Sequence, residues 1–191
     1  MNAVLIRHTR VAAQPGVCFG WSDVPLADTF PEEARSVRER LPWVPAEVWT
    51  SPALRCRALA ERLGAAQVRI DPRLQELDFG AWEGRRWEDF HCPASEAWAL
   101  DPWNERPPGG ETAAELWARV HELRAELVAR DADRIALVTH AGVIRAWRGL
   151  TTGRLLREQW SEPVEFGGIE TAISVGDPRV AAAGKSGASA L

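Results

Sequence analysis

Short apolar runs alternate along this chain with longer stretches whose apolar positions recur every third or fourth residue, the periods of buried strand and amphipathic helix. Ala3-Val4-Leu5-Ile6 reads as a buried strand that ends at Arg7-His8. Pro15, Gly16, Gly20 and Pro25 then mark a folded connection. Thr29-Phe30-Pro31-Glu32 has the form of a capping box with proline in the first turn, and predicts a polar helix to about residue 41. Pro42 and Pro45 close it. Glu47-Val48-Trp49-Thr50 predicts a second strand. Ser51 as cap and Pro52 at the first position predict a helix that carries Arg55 near its start and stops at Gly64. A third short strand follows at residues 68–70.

Residues 71–110 are rich in tryptophan, proline and charge and have weak periodicity, so they read as loops with short helices. Pro107-Pro108-Gly109-Gly110 introduces a long helix over residues 111–129, with Leu116, Val120, Leu123 and Leu127 on one face. Ile135-Ala136-Leu137-Val138-Thr139 is the clearest strand and ends at His140. Gly142 permits a tight passage into a helix over 143–150. Residues 164–166 and 172–175 read as late strands, and 184–191 as a frayed tail. No repeat or linker divides the chain, so residues 1–183 are expected to form a single domain.

Strands alternating with helices predict an α/β three-layer sandwich: a mostly parallel central sheet with helices on both faces. Such sheets bind ligands beyond the carboxyl ends of their strands. Arg7, His8 and His140 sit at strand ends and Arg55 just beyond one, so the fold itself predicts that they converge.

Composition narrows the chemistry. A net charge of -4 gives no reason to expect a nucleic-acid or anionic-membrane surface, while a few basic groups can still bind a small anion. Cys18, Cys56 and Cys92 are odd in number and lack CxxC spacing, a poor basis for disulfides or structural zinc. The start of the chain lacks the form of a signal peptide, and no run reaches the ~18 apolar residues of a membrane-spanning helix. A cytoplasmic location with reduced thiols is the resulting expectation. A homodimer is left open.

HExxH is absent, His91 and Cys92 have no metal spacing, and no P-loop lysine motif occurs. No metal and no cofactor are expected. His91 and His121 read as structural or solvent-facing. Ten tryptophans with no tyrosine is an unusual aromatic choice; Trp21, Trp82, Trp87, Trp98 and Trp103 lie between predicted strands, where they could roof a pocket or fill gaps in the core.

Arg7 and Arg55 offer permanently charged, bidentate contacts to a phosphoryl group. A neutral imidazole can attack phosphorus in line, which makes His8 the candidate nucleophile. His140 is a second donor, and Glu76 can protonate the departing alcohol and then accept a proton from water. A small-molecule phosphomonoester is the implied partner.

Leu5-Ile6-Arg7-His8, Ser51-Pro52-Ala53-Leu54-Arg55, Glu76-Leu77-Asp78-Phe79-Gly80-Ala81-Trp82-Glu83-Gly84 and Thr139-His140-Ala141-Gly142, in that order, resemble the histidine phosphatase superfamily, which includes the phosphoglycerate mutases. The resemblance spans residues 3–145. It implies a phosphoglycerate mutase-like fold, a phosphohistidine on His8, phosphate contacts from Arg7, Arg55 and His140, and acid/base work by Glu76. The family's usual Arg-His-Gly is here Arg7-His8-Thr9, and the Thr9 hydroxyl is either a further phosphate contact or a local backbone partner. Residues 16–26 resemble the corresponding stretch of the alpha-ribazole phosphatase branch, and Pro108-Gly109-Gly110-Glu111-Thr112 resembles the family's Gly-Gly-Glu segment. That narrower likeness implies hydrolysis of alpha-ribazole 5'-phosphate, with Phe19, Gly20, Trp21 and Trp82, or the region 98–103, near the leaving group. A broad-specificity phosphatase, a mutase-type phosphotransferase and a noncatalytic phosphate-binding regulator are the other readings.

Overall fold

Five strands build one sheet: β1 (Ala3–Arg7), β2 (Glu47–Thr50), β3 (Gln67–Ile70), β4 (Ile135–Thr139) and β5 (Ile169–Ile173). The computed structural model describes residues 2–90, 92–130, 133–154, 159 and 162–173. In space the strands follow the order β3-β2-β4-β1-β5. The first four are parallel and β5 runs antiparallel to β1. The helices are α1 (Phe30–Arg40), α2 (Leu54–Ala60), α3 (Pro93–Leu100), α4 (Ala113–Ala129) and α5 (Ala141–Thr152).

Alternation along the central strands makes the three layers. Ala3, Leu5, Ile135 and Leu137 face one way and pack with Leu116, Val120, Leu123 and Leu127 of α4 and with Val143, Ile144 and Trp147 of α5. Val4, Ile6, Ala136, Val138 and Val48 face the other way, onto Val37 of α1 and Leu59 of α2. Each fully buried Val, Leu or Ile contributes about 1.5–3 kcal/mol from apolar surface removed from water. Every residue of β4 is buried, as expected of a parallel strand covered on both faces. Among the described residues no helix is long and apolar enough to cross a membrane.

Several local expectations change. Thr29 forms no capping bond: its backbone is already helical (φ −75°, ψ −4°), and its hydroxyl donates to the Glu33 carboxylate at 2.7 Å. Glu33 is held in turn by the Arg10 backbone amide. Helix α2 starts later than Ser51-Pro52 implied, with Ala53 at its cap; the Ser51 hydroxyl accepts from the Ala53 amide at 3.3 Å and also meets His140. The long helix begins at Ala113 with a reciprocal box between Thr112 and Glu115. Residues 164–166 are not a strand; that segment lies under Arg7, and the late strand is β5. The expected tail at 184–191, the end of the strand predicted over 172–175, and His91 fall outside the described residues.

Candidate active site

Three neighbouring strands end at one level, which brings their next residues together. Arg7 of β1 is in register with Thr139 of β4, and the His8 amide donates to Thr139 O at 2.9 Å. The Ser51 amide, one residue beyond β2, donates to Val138 O at 3.0 Å. The rings of His8 and His140 consequently meet edge to face, 5.2 Å apart. Sheet register alone sets this pair.

His8 is buried, and its Nδ1 lies 2.7 Å from Thr9 O. A carbonyl only accepts, so Nδ1 carries the proton and Nε2 keeps its lone pair. Burial, and then the charges of Arg55 and Arg7, hold His8 well below its ordinary pKa, against the pull of the Thr9 bond. His140 is held neutral in the same way, by burial first and Arg55 next. Arg55 Nη2 approaches His140 Nδ1 at 3.3 Å, and a guanidinium only donates. The His140 proton is therefore on Nε2, shared with Ser51 Oγ at 2.8 Å. Both ring nitrogens of His140 are engaged by protein groups in this geometry, with the ring buttressing Arg55.

Arg55 is fully buried at the start of α2. Its Nη1 donates to Ser22 O at 3.0 Å and its Nη2 to Gly20 O at 2.6 Å. The loop carrying those carbonyls is stapled by Glu83, whose carboxylate accepts from the amides of Trp21 (2.8 Å), Ser22 (2.6 Å) and Phe79 (3.2 Å). Burial pulls the Glu83 carboxyl up, but the Ser22 hydroxyl and then these amides outweigh it and hold it below the usual range. Only glycine fits at position 20, since a Cβ there would lie 2.0 Å from Leu77 O. On the opposite side, Arg7 donates to Val164 O and lies 3.7 Å over the Phe166 ring. Arg7 Nε, Arg55 Nε and Thr9 Oγ1 are buried without a partner among the described residues.

The Glu76 carboxylate sits at the start of α5, where both oxygens accept from the Gly142 amide at 3.1 and 3.2 Å and Oε1 also accepts from the Leu77 amide. A Cβ at position 142 would come within 2.2 Å of Glu76 Oε1 and displace the carboxylate from this seat.

A cavity of ≈ 260 Å³ is lined by Arg7, His8, Arg55, Glu76 and His140 together with Val17, Phe19, Trp87, Ala141 and Arg145. All five residues expected to act on the phosphoryl group reach it. Of the residues expected near the leaving group, Phe19 alone lines the cavity. Gly20 serves through its carbonyl, Trp21 donates from its indole to Glu76 O at 2.8 Å, and Trp82 is buried against Phe90 and Trp98. Thr9 is buried and is not a lining residue. Trp103 packs on Trp117. Trp87, one of the five tryptophans between strands, is the one that lines the cavity. Arg145 was legible only as the same helical face as Ala141, one turn on. Among the described residues no three His, Cys, Asp or Glu side chains are grouped to hold a metal ion.

A sequence model described as the histidine phosphatase superfamily (branch 1) matches residues 3–175. A putative phosphoserine phosphatase 2 from Hydrogenobacter thermophilus is 26% identical over 64% of this chain and 63% of its own. A glucosyl-3-phosphoglycerate phosphatase from Mycobacterium tuberculosis is 39% identical over 46% of this chain and 44% of its own. The chain thus spans less than two thirds of either curated relative. The crystal structure of the alpha-ribazole phosphatase from Shigella flexneri superposes with a TM-score of 0.81 at 26% identity, covering 90% of this chain and 89% of that one.

Proposed function

The chain belongs to the histidine phosphatase superfamily, and from that premise we propose that it hydrolyses phosphomonoesters through a phosphohistidine on His8, with alpha-ribazole 5'-phosphate as its substrate. The observation that carries the chemistry is the bond from His8 Nδ1 to Thr9 O, which leaves Nε2 as a neutral nucleophile on the cavity wall. Nε2 attacks phosphorus in line, the phosphorus–ester oxygen bond breaks, and Glu76 gives its proton to the departing alcohol. Water then donates a proton to the Glu76 carboxylate while its oxygen attacks phosphorus. The phosphorus–nitrogen bond breaks, free phosphate leaves, and His8 regains its lone pair. Arg7 and Arg55 carry buried, unpartnered donors suited to the transferring oxygens.

The substrate assignment is supported by the likeness to the Shigella flexneri enzyme and by the aromatic wall of Phe19 and Trp87, which suits a flat ring on the leaving group. The same reading puts the reaction in the cytoplasm.

The test is a panel of phosphomonoesters that includes alpha-ribazole 5'-phosphate, assayed with and without a chelator and compared with His8→Ala. Turnover is expected to be lost in the variant and to be indifferent to the chelator. Comparable turnover by the variant removes His8 from the mechanism. Strong preference for another ester removes only the substrate. Interconversion of phosphoglycerate isomers in the presence of a bisphosphorylated primer, without release of phosphate, would make the protein a mutase.

A further inference from the structure

The Glu76 side chain is fixed at the tip by α5, but a carboxyl group delivers its proton to the right oxygen only if its backbone is fixed too. One side chain supplies that. Arg119, in the middle of α4, donates from Nη1 to Arg73 O (2.8 Å) and Gln75 O (2.7 Å) and from Nη2 to Glu76 O (2.9 Å). Its remaining donors meet Glu111, with Nε–Oε1 at 2.7 Å and Nη2–Oε2 at 2.9 Å. This ion pair is largely buried, with side-chain exposures of 15% and 13%. Glu111 is itself tied to the same strap of chain: its amide donates to Asp78 O at 2.9 Å, and its carboxylate accepts weakly from the Asp78 amide.

We propose that Arg119, oriented by Glu111, is the positioning residue for the general acid Glu76. Neither residue lines the cavity, so they act through the backbone of residues 73–78 and not on the substrate. The planar fork explains the residue type: three carbonyls and both oxygens of one carboxylate take all five N–H donors of a guanidinium, two more than a lysine ammonium carries. A general structural brace would account for burial of the pair. It would not account for convergence on the acid's own carbonyl, which the Trp21 indole also meets.

The inference rests on the acid role of Glu76, and leaving-group dependence tests the two separately. An ester with a poor alkoxide leaving group needs the proton, whereas p-nitrophenyl phosphate, whose leaving group departs as a stable anion, needs it far less. kcat/KM, which reads the step of phosphoryl transfer to His8, is measured on both substrates for the parent, Glu76→Gln, Arg119→Lys and Glu111→Gln. Glu76→Gln is expected to lower the alkyl-ester value by about 100-fold or more and the nitrophenyl value much less. Arg119→Lys is expected to show the same pattern with a loss of roughly tenfold or more on the alkyl ester. Glu111→Gln, the milder change, shifts the same way and decides the matter if Arg119→Lys does not fold. A fall in Arg119→Lys that is equal on both substrates, or no fall, overturns the inference while Glu76→Gln remains selective. If Glu76→Gln is itself unselective, the acid reading fails first and takes this one with it.

Discussion

At the scale of single residues, the site is an arrangement of neutral rings beside permanent cations. Arg55 touches His140 and faces His8, and a proton on either ring would sit in a buried place next to a guanidinium. Burial is the larger cause for both histidines, so the neutral state does not depend on salt screening the arginines. The expected outcome in ¹⁵N-resolved NMR is that the His8 and His140 rings show no titration between pH 8 and 6, each with one protonated and one bare nitrogen. His8 should carry its proton on Nδ1 and His140 on Nε2. A His8 ring that titrates near the ordinary value of 6.5 would mean that the site is wetter than its geometry implies. Legibility at this scale follows residue type. His8, His140, Arg7 and Arg55 could be singled out because few residue types grip or accept a phosphoryl group, and three of them end strands while Arg55 opens the helix after one. Gly20 and Trp21 were singled out for the leaving group, yet they act on Arg55 and on the backbone of Glu76. Nothing in a sequence tells a carbonyl that grips an arginine from one that faces solvent.

At the scale of elements, strands with strict apolar runs were legible and the segments between them were not. β1, β2 and β4 have one pattern each and one way to be buried, whereas residues 16–22 and 76–87 depend on each other. Their backbones are zipped at Gly84–Cys18, Cys18–Arg85 and Trp87–Gly16, contacts without any periodic signature. The same limit hid the role of residues 164–166, where valine and phenylalanine looked like a strand and instead support Arg7. Glu83 joins the two zipped segments, and its effect on Arg55 is testable. A glutamine there keeps one oxygen and turns an amide N–H₂ toward a backbone N–H that Glu83 now satisfies, so that donor loses its acceptor and the staple loses a charge-assisted bond. Glu83→Gln is expected to weaken inhibition by vanadate or inorganic phosphate about tenfold, equivalent to roughly 1.4 kcal/mol, as Arg55 loses its carbonyl seats. A lowered melting temperature with unchanged anion affinity would make Glu83 a brace for the loop alone.

At the scale of the whole molecule, the two histidines couple the site to folding. Their folded-state pKa values lie well below the ordinary 6.5 that the unfolded chain recovers. Above that value both states are neutral and the rings cost nothing. As pH falls below it, the unfolded chain takes up protons that the folded one refuses, so stability is present above about 6.5 and drains away on acidification. Between pH 7 and 5.5 each ring can cost at most about 1.2 kcal/mol and the pair at most about 2.5 kcal/mol, the limit set by protonation of the unfolded chain alone. The carboxyls that hydrogen bonds hold low, Glu33, Asp71, Glu83 and Glu115, lose their contribution only further down, as pH falls below the ordinary carboxyl range of 3.8 to 4.5. The histidine window is therefore separate from theirs. Urea unfolding at pH 7 and 5.5 measures it, and His8→Asn should remove about half of the difference. Equal stability at both pH values would show that the rings accept protons in the folded protein, and a cationic His8 has no lone pair with which to attack phosphorus. The cost on acidification comes with the arrangement itself: the register of β1 and β4 that buries the two rings side by side also sets the nucleophile next to Arg7 and against the start of α2 that carries Arg55.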